Sequence, residues 1–347
     1  MEITKPVIEC PFDLHVELRS QPDAEGTPYH RDAIAADIPG LIEETFVRGV
    51  LEDCLPSEVT GLHCSVSPVW ESEPLVQEIE IRIVTEVGAE EIRYTQRYST
   101  GPWVRRSIAL VRQLREERTL AEGASAYPVL FAEKNRTGTP ISPPDFEAPV
   151  IVEESLDDFG VRALGEGSLV PDRPILMNAR TLEEAITLCT EAGTNETGGA
   201  MLGKLVRVPE ALPGTTSRVV TILSTTVLDP RHVGVPNEMR FDPEALVEAS
   251  RIAEMRGKGE EILTVIHTHG WGKDCGHCNE NENCPLTECS QVSTRDYQLI
   301  ESLFPSKAAV MPIVGRKLGA KDKCPVLAIH AWRDGALRPM RWRTYQD

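Results

Sequence analysis

Apolar and polar positions change their spacing several times along the chain, and each change marks an element. Residues 78–98, EIEIRIVTEVGAEEIRYTQRY, alternate apolar and polar on both sides of Gly88-Ala89, the pattern of a β-hairpin. Beyond it the period lengthens: Trp103, Ile108, Val111 and Leu114 fall on one face of a helix opened by Gly101-Pro102. Shorter apolar runs predict strands at Leu14–Leu18 and Val129–Ala132, with a helix over Ile34–Leu51 between them. Together these elements describe a small α+β domain over residues 1–138.

Residues 139–172 break the rhythm. They are rich in Pro, Gly and acidic side chains and carry no long apolar period, which reads as a linker. From 173 to 347 strands and helices alternate again. TLEEAITLCTEAG is a helix with Thr181 as its cap and Gly193 closing it. ETGGAMLGKLVRV and Arg218–Val227 are strands, a helix lies around Pro243–Arg256, and Ile262–His267 is an apolar strand. STRDYQLIESLF follows as a helix, AAVMPIVG as a strand, and CPVLAIHAWR with LRPMRWRTY as a closing hairpin. The expected fold class is α/β in the broad sense (α+β): a mixed β-sheet flanked by helices, preceded by a separate small α+β domain.

Composition narrows the function. With 41% apolar residues and mixed charge in 347 residues, the chain has enough material for two ordinary cores. The formal charge of −18 repels phosphate backbones and anionic lipid, so neither nucleic acid nor membrane is an expected partner. No basic start followed by an apolar core, and no apolar run of membrane-spanning length, occurs near residue 1 or elsewhere, which reads as cytoplasmic. Nine cysteines do not form a secreted disulfide framework. Cys54 and Cys64 could be imagined as nucleophiles, but neither has a diagnostic context, and packing in the core is the expected role of the scattered thiols.

The chemistry is concentrated after residue 195. His267 and His269 stand two apart at the exit of an apolar strand, so they project from one face roughly 7 Å apart at the backbone, a span that one metal ion can bridge. Ser293-Thr-Arg-Asp296 opens the next helix. Its plain reading is an N-cap, and the same geometry fixes a carboxylate on the first turn, where it could be a third ligand.

A Glu before a Gly-rich strand (Glu196 in NETGGAMLGKL), then His267-Thr268-His269, then Ser293-x-x-Asp296, resembles the JAMM motif of the JAB/MPN metalloproteases. The resemblance covers roughly residues 172–340. It implies a JAB/MPN-like sheet, with His267, His269 and Asp296 holding zinc, a water at the open position, Glu196 as general base, and Ser293 donating to the oxyanion. It further implies hydrolysis of an isopeptide or peptide bond at the C-terminus of ubiquitin or a ubiquitin-like protein, as in deubiquitinases. Processing of a ubiquitin-fold sulfur-carrier protein is equally compatible, and a non-catalytic MPN-type scaffold is the competing class. Residues 1–138 would recruit the substrate or conjugation-pathway proteins.

Two features depart from the family pattern. Gly270 stands where a Pro usually follows the second His, and 23 residues, Gly270–Val292, precede the Ser where the family has about seven. This insertion carries Cys275, Cys278, Cys284 and Cys289. Four thiols in so short a stretch are expected to hold a second, structural zinc or, as a sharper variant, a redox-sensitive lid. A zinc-deaminase reading fails because position 269 is His where that chemistry needs Glu.

Overall fold

The computed structural model describes residues 7–21, 28–59, 61–135, 137–144, 148–192, 195–228, 242–269, 292–316 and 325–347. Contacts divide the chain into two units. The first comprises Met1–Val50, Cys54–Ala148 and Arg333–Ala336; the second comprises Leu51–Asp53, Pro149–Trp332 and Leu337–Asp347.

In the first unit the strands β1 (Val7–Glu9), β2 (Phe12–Arg19), β3 (Pro28–Ala33), β4 (His63–Ser72), β5 (Leu75–Val87), β6 (Glu90–Tyr98) and β7 (Tyr127–Lys134) form one sheet. Its order is β1-β4-β5-β7-β2-β3, with β6 also paired to β5. Helix α1 (Ile38–Leu51) buries Ile38, Ile42 and Phe46 completely, and Tyr98 bonds to its Thr45 and Leu41. The hairpin turns at Gly88, whose positive φ of 65° suits a residue without Cβ. Helix α2 (Val104–Glu116) follows a single 3-10 turn at Gly101–Trp103. Trp103 and Leu114 of the expected helical face are buried, but Ile108 is exposed, so the helix rests on a narrower stripe than its apolar spacing implies.

The second unit holds β8 (Ile151–Glu153), α3 (Leu156–Phe159), β9 (Ala163–Gly167), β10 (Ile175–Asn178), α4 (Ala179–Ala192), β11 (Gly198–Arg207), β12 (Val219–Leu228), α5 (Pro243–Arg256), β13 (Glu261–Thr268), α6 (Thr294–Leu303), β14 (Val310–Arg316), β15 (Pro325–Arg333), β16 (Ala336–Met340) and β17 (Arg343–Gln346). The sheet order is β16-β15-β14-β13-β11-β12-β10-β17-β9, with β8 beside β11. Both units are thus mixtures of strands and helices, as the apolar spacing predicts.

Three expectations need correction here. The stretch 139–172 is not all linker, because β8, α3 and β9 within it join the second unit, β8 on β11 and β9 on β17. The tail LRPMRWRTY is not one hairpin arm. It splits into β16 and β17, and β17 crosses to pair in parallel with β10. Thr181 does not cap α4: Asn178 does, its Oδ1 accepting from Arg180 N at 2.9 Å, while the Thr181 hydroxyl donates to the Ser224 carbonyl. Gly193 lies outside the described residues.

Successive side chains alternate between the two faces of this sheet. Met201, Leu223, Ile266, Val314 and Ile329 meet α4 through Ala185 and Leu182 on one face. On the other, Ala200 and Leu202 meet Ala249 and Ala253 of α5, and Met311, Ile313 and Trp332 meet Tyr297 and Ile300 of α6. Gly199 and Gly203 let β11 lie close to β12: a Cβ on Gly203 would come within 2.0 Å of the Ile222 carbonyl oxygen. No helix among the described residues is long and apolar enough to cross a membrane.

Candidate metal centre

His267 lies near the end of β13, opposite Gly198 on one side and Ile313 on the other. Two residues further on, His269 is held by its own N–H to the Val314 carbonyl at 2.9 Å. Both imidazoles therefore leave the face that α6 covers. Helix α6 reaches that face because Tyr297 and Ile300 bury themselves there, and its first turn carries Asp296 to the histidines.

The capping box fixes the carboxylate. The Asp296 N–H donates to Ser293 Oγ at 3.2 Å, and the Ser293 N–H donates back to Asp296 Oδ2 at 2.5 Å. From that position Asp296 Oδ1 lies 3.0 Å from His267 Nε2, and Oδ2 lies 3.5 Å from His269 Nε2. The two Nε2 atoms are 3.2 Å apart. Ligand atoms about 2.1 Å from a tetrahedral ion sit about 3.4 Å from one another, and the separations among these three side chains are close to that value. His267 and Asp296 are buried, and the group could hold a metal ion.

Glu196 sits just ahead of β11, half-buried, and Thr268 secures its segment. The Thr268 N–H donates to the Thr197 carbonyl at 2.7 Å, and the Thr197 N–H donates to Thr268 Oγ1 at 3.0 Å. The middle residue of the His-Thr-His run therefore has a positioning role, which depends on the pairing of β13 with β11 and so leaves no local signal in the sequence. Burial raises the Glu196 carboxyl above its ordinary range and Asp296 adds to this, while His267, His269 and Arg295 pull the other way. Burial also pushes Asp296 up, but hydrogen bonds and charge from the two histidines outweigh it and hold that carboxyl well below the usual range.

His330, on β15, gave no sequence signal beyond being a polar residue inside an apolar strand. It is buried, and burial, with smaller contributions from its neighbours, lowers its pKa to about 4. His267, His269 and Asp296 are all close enough to influence it electrostatically.

Cys275, Cys278, Cys284 and Cys289 lie outside the described residues, so the structure does not bear on the expected second zinc. Of the scattered thiols, Cys10 and Cys64 are buried, and burial pushes Cys64 up to about 12. Cys54 is exposed, against the expectation of core packing, because it follows the end of α1 in a surface turn.

No family model matches the chain, and no curated protein matches it. Among solved structures, the solution structure of protein DSY2949 from Desulfitobacterium hafniense is similar at 17% identity, over 50% of this chain and 94% of that chain, with a TM-score of 0.30. A likeness of that size says nothing of function.

Proposed function

We propose that the second unit is a zinc-dependent hydrolase of the JAMM type, cleaving an isopeptide or peptide bond at the C-terminus of ubiquitin or a ubiquitin-like protein. The observation that carries the reading is the convergence of His267 Nε2, His269 Nε2 and the Asp296 carboxylate beside the half-buried Glu196. Two imidazoles and one carboxylate suit zinc, and three protein ligands leave one position open for chemistry. Zinc held there supplies Lewis acidity, polarising a carbonyl and making water more acidic.

The chain's own residues do the rest. Glu196, with its proton affinity raised by burial, takes a proton from the attacking water and hands it to the departing amine. Ser293 Oγ accepts the Asp296 N–H, which leaves its own hydrogen to donate to the carbonyl oxygen as negative charge develops. Asp296 accepts the Ser293 N–H and faces both imidazoles, so the helix cap and the metal ligand are one side chain. An extended substrate tail would bind by strand addition at a sheet edge. In this reading the protein works in the cytoplasm and the first unit recruits substrate or conjugation partners. The cysteines at 275, 278, 284 and 289 hold a second, structural zinc.

Elemental analysis of the full chain tests the metal part. Native protein should carry two zinc ions, one lost in His267→Ala/His269→Ala and the other in Cys278→Ser/Cys284→Ser. Against fluorogenic amides of ubiquitin-like C-termini, Glu196→Gln should keep its zinc and lose about 10²- to 10⁴-fold in rate. Full metal content in the histidine variant would end the hydrolase reading and favour a binding scaffold.

A further inference from the structure

We propose that the groove beside α2 in the first unit is a docking site for an acidic peptide segment of a partner protein, one that carries apolar side chains next to its carboxylates. The inference gives the recruiting role proposed for the first unit a place and a chemistry, and it needs no metal.

Helix α2 buries only part of its apolar face. Val104 is 38% exposed and Ile108 48%. With Val111 they stand at i, i+4 and i+7, on one side of the helix, and together with Leu18 of β2 and Pro128 of β7 they line an open groove of about 300 Å³. Leu18 is itself buried in a cluster with Leu114 and Leu120, so the groove has a packed floor. The same helical spacing brings Arg112 and Arg115 to one end of this face, and both line the groove. From Val104 to Arg115 the axis runs about 16 Å, the length of about five residues of extended chain.

Charge selects the occupant. Elsewhere on this helix Arg106 pairs with Asp32 at 2.5 Å and with Asp37 at 2.9 Å. Arg112 and Arg115 pair with no carboxylate among the described residues, and Arg115 is held on the rim by donating to the Ala124 carbonyl at 3.2 Å. Two unpaired cations at one end of an apolar groove complement a segment with carboxylates at one end and apolar side chains at the other. A second copy of this chain fits poorly, because two such arginine-rich helices set face to face repel each other. Anionic lipid is opposed by the formal charge of −18.

The test starts from short random peptides displayed on phage and selected on the immobilised full chain; enriched sequences are synthesised and measured by fluorescence anisotropy. They should combine Asp or Glu with Leu, Ile or Phe. Their affinity should fall about 10-fold or more in Ile108→Asp and also in Arg112→Glu/Arg115→Glu, and should weaken with added salt. All three positions are exposed, so both variants should keep the native melting temperature. Ile108→Ser and Arg112→Gln/Arg115→Gln replace any variant that does not fold. Enriched peptides that lack acidic residues, or that bind both variants as tightly as native protein, overturn the proposal, and so does a failure to enrich any sequence. Phosphatidylserine vesicles bound through Arg112 and Arg115 without peptide enrichment would give the face to a membrane, and a dimer broken by Ile108→Asp would give it to a second copy; either result overturns the proposal. Binding is read without reference to zinc, so failure here leaves the metal centre standing, and loss of the zinc reading leaves this site standing.

Discussion

Each unit buries a histidine among carboxylates, and the two clusters are built in opposite ways. On β2 of the first unit, His15, Glu17 and Arg19 share a buried face. Glu17 pairs with Arg19 at 2.6 Å and with Arg31 at 3.4 Å, and Arg31 reaches Glu133 at 2.7 Å and also contacts His15. Two guanidinium groups answer two carboxylates, and the cluster is complete. In the second unit two imidazole nitrogens and a carboxylate converge at 3.0 to 3.5 Å with no guanidinium or ammonium group among them, a set of potential ligand atoms that one cation could bridge. A buried polar cluster that pairs its own charges reads as a structural element; one that gathers three potential ligand atoms could hold a metal ion.

The sharpest way to break this contrast is to add metal. At a free zinc concentration about 1,000 times Kd, stability of the second unit should rise by about 4 kcal/mol in calorimetry, and the His267→Ala/His269→Ala variant should show none of it. An equal rise in both proteins would place the zinc elsewhere. Next in size, Glu17→Ala leaves a buried guanidinium uncompensated and should cost about 3 kcal/mol in denaturant unfolding while zinc content stays native. A loss under 1 kcal/mol would mean that the first cluster is less self-contained than its ion pairs imply.

Ser293→Ala should cost about 1 kcal/mol through the lost cap. It should also slow amide hydrolysis about 10²- to 10³-fold if the hydroxyl donates to the oxyanion, so a stability loss with unchanged rate would leave Ser293 as a cap alone. The finest probe is titration of Glu196 by carbon NMR. In metal-free protein it should titrate above the ordinary Glu range, since burial penalises its charged form. Zinc should move it down, because a nearby cation favours the carboxylate; no movement would put Glu196 outside the reach of the metal.

Legibility in the sequence followed how locally each feature is determined. Helix α5 could be read to its ends, with Asp242 and Pro243 at its start and Gly257 in a left-handed conformation at its close. The apolar strands β11, β12, β13 and β14 were legible from long runs that stay buried on both faces. In contrast β8, β9 and β17 are three to five residues long and exist because distant strands pair with them, which no local pattern encodes. β4 hid behind Pro68 and the small residues of HCSVSPVWES, though its Cys64 and Val66 point inward in strict alternation. Of the candidate site, the three converging side chains were visible from spacing alone. His330 and the grip of Thr268 on Thr197 were not, because both depend on which strands become neighbours.

The double duty of Asp296 has a consequence for how such a chain can change over generations. From Ser293 to Asp296 the spacing is locked twice, since one inserted residue would uncap α6 and withdraw the carboxylate from the histidines in a single event. The 23 residues from Gly270 to Val292 stand before Ser293, outside that doubly fixed spacing. The cap thus works as a seam: chain length can change on one side of it without renegotiating the spacing on the other.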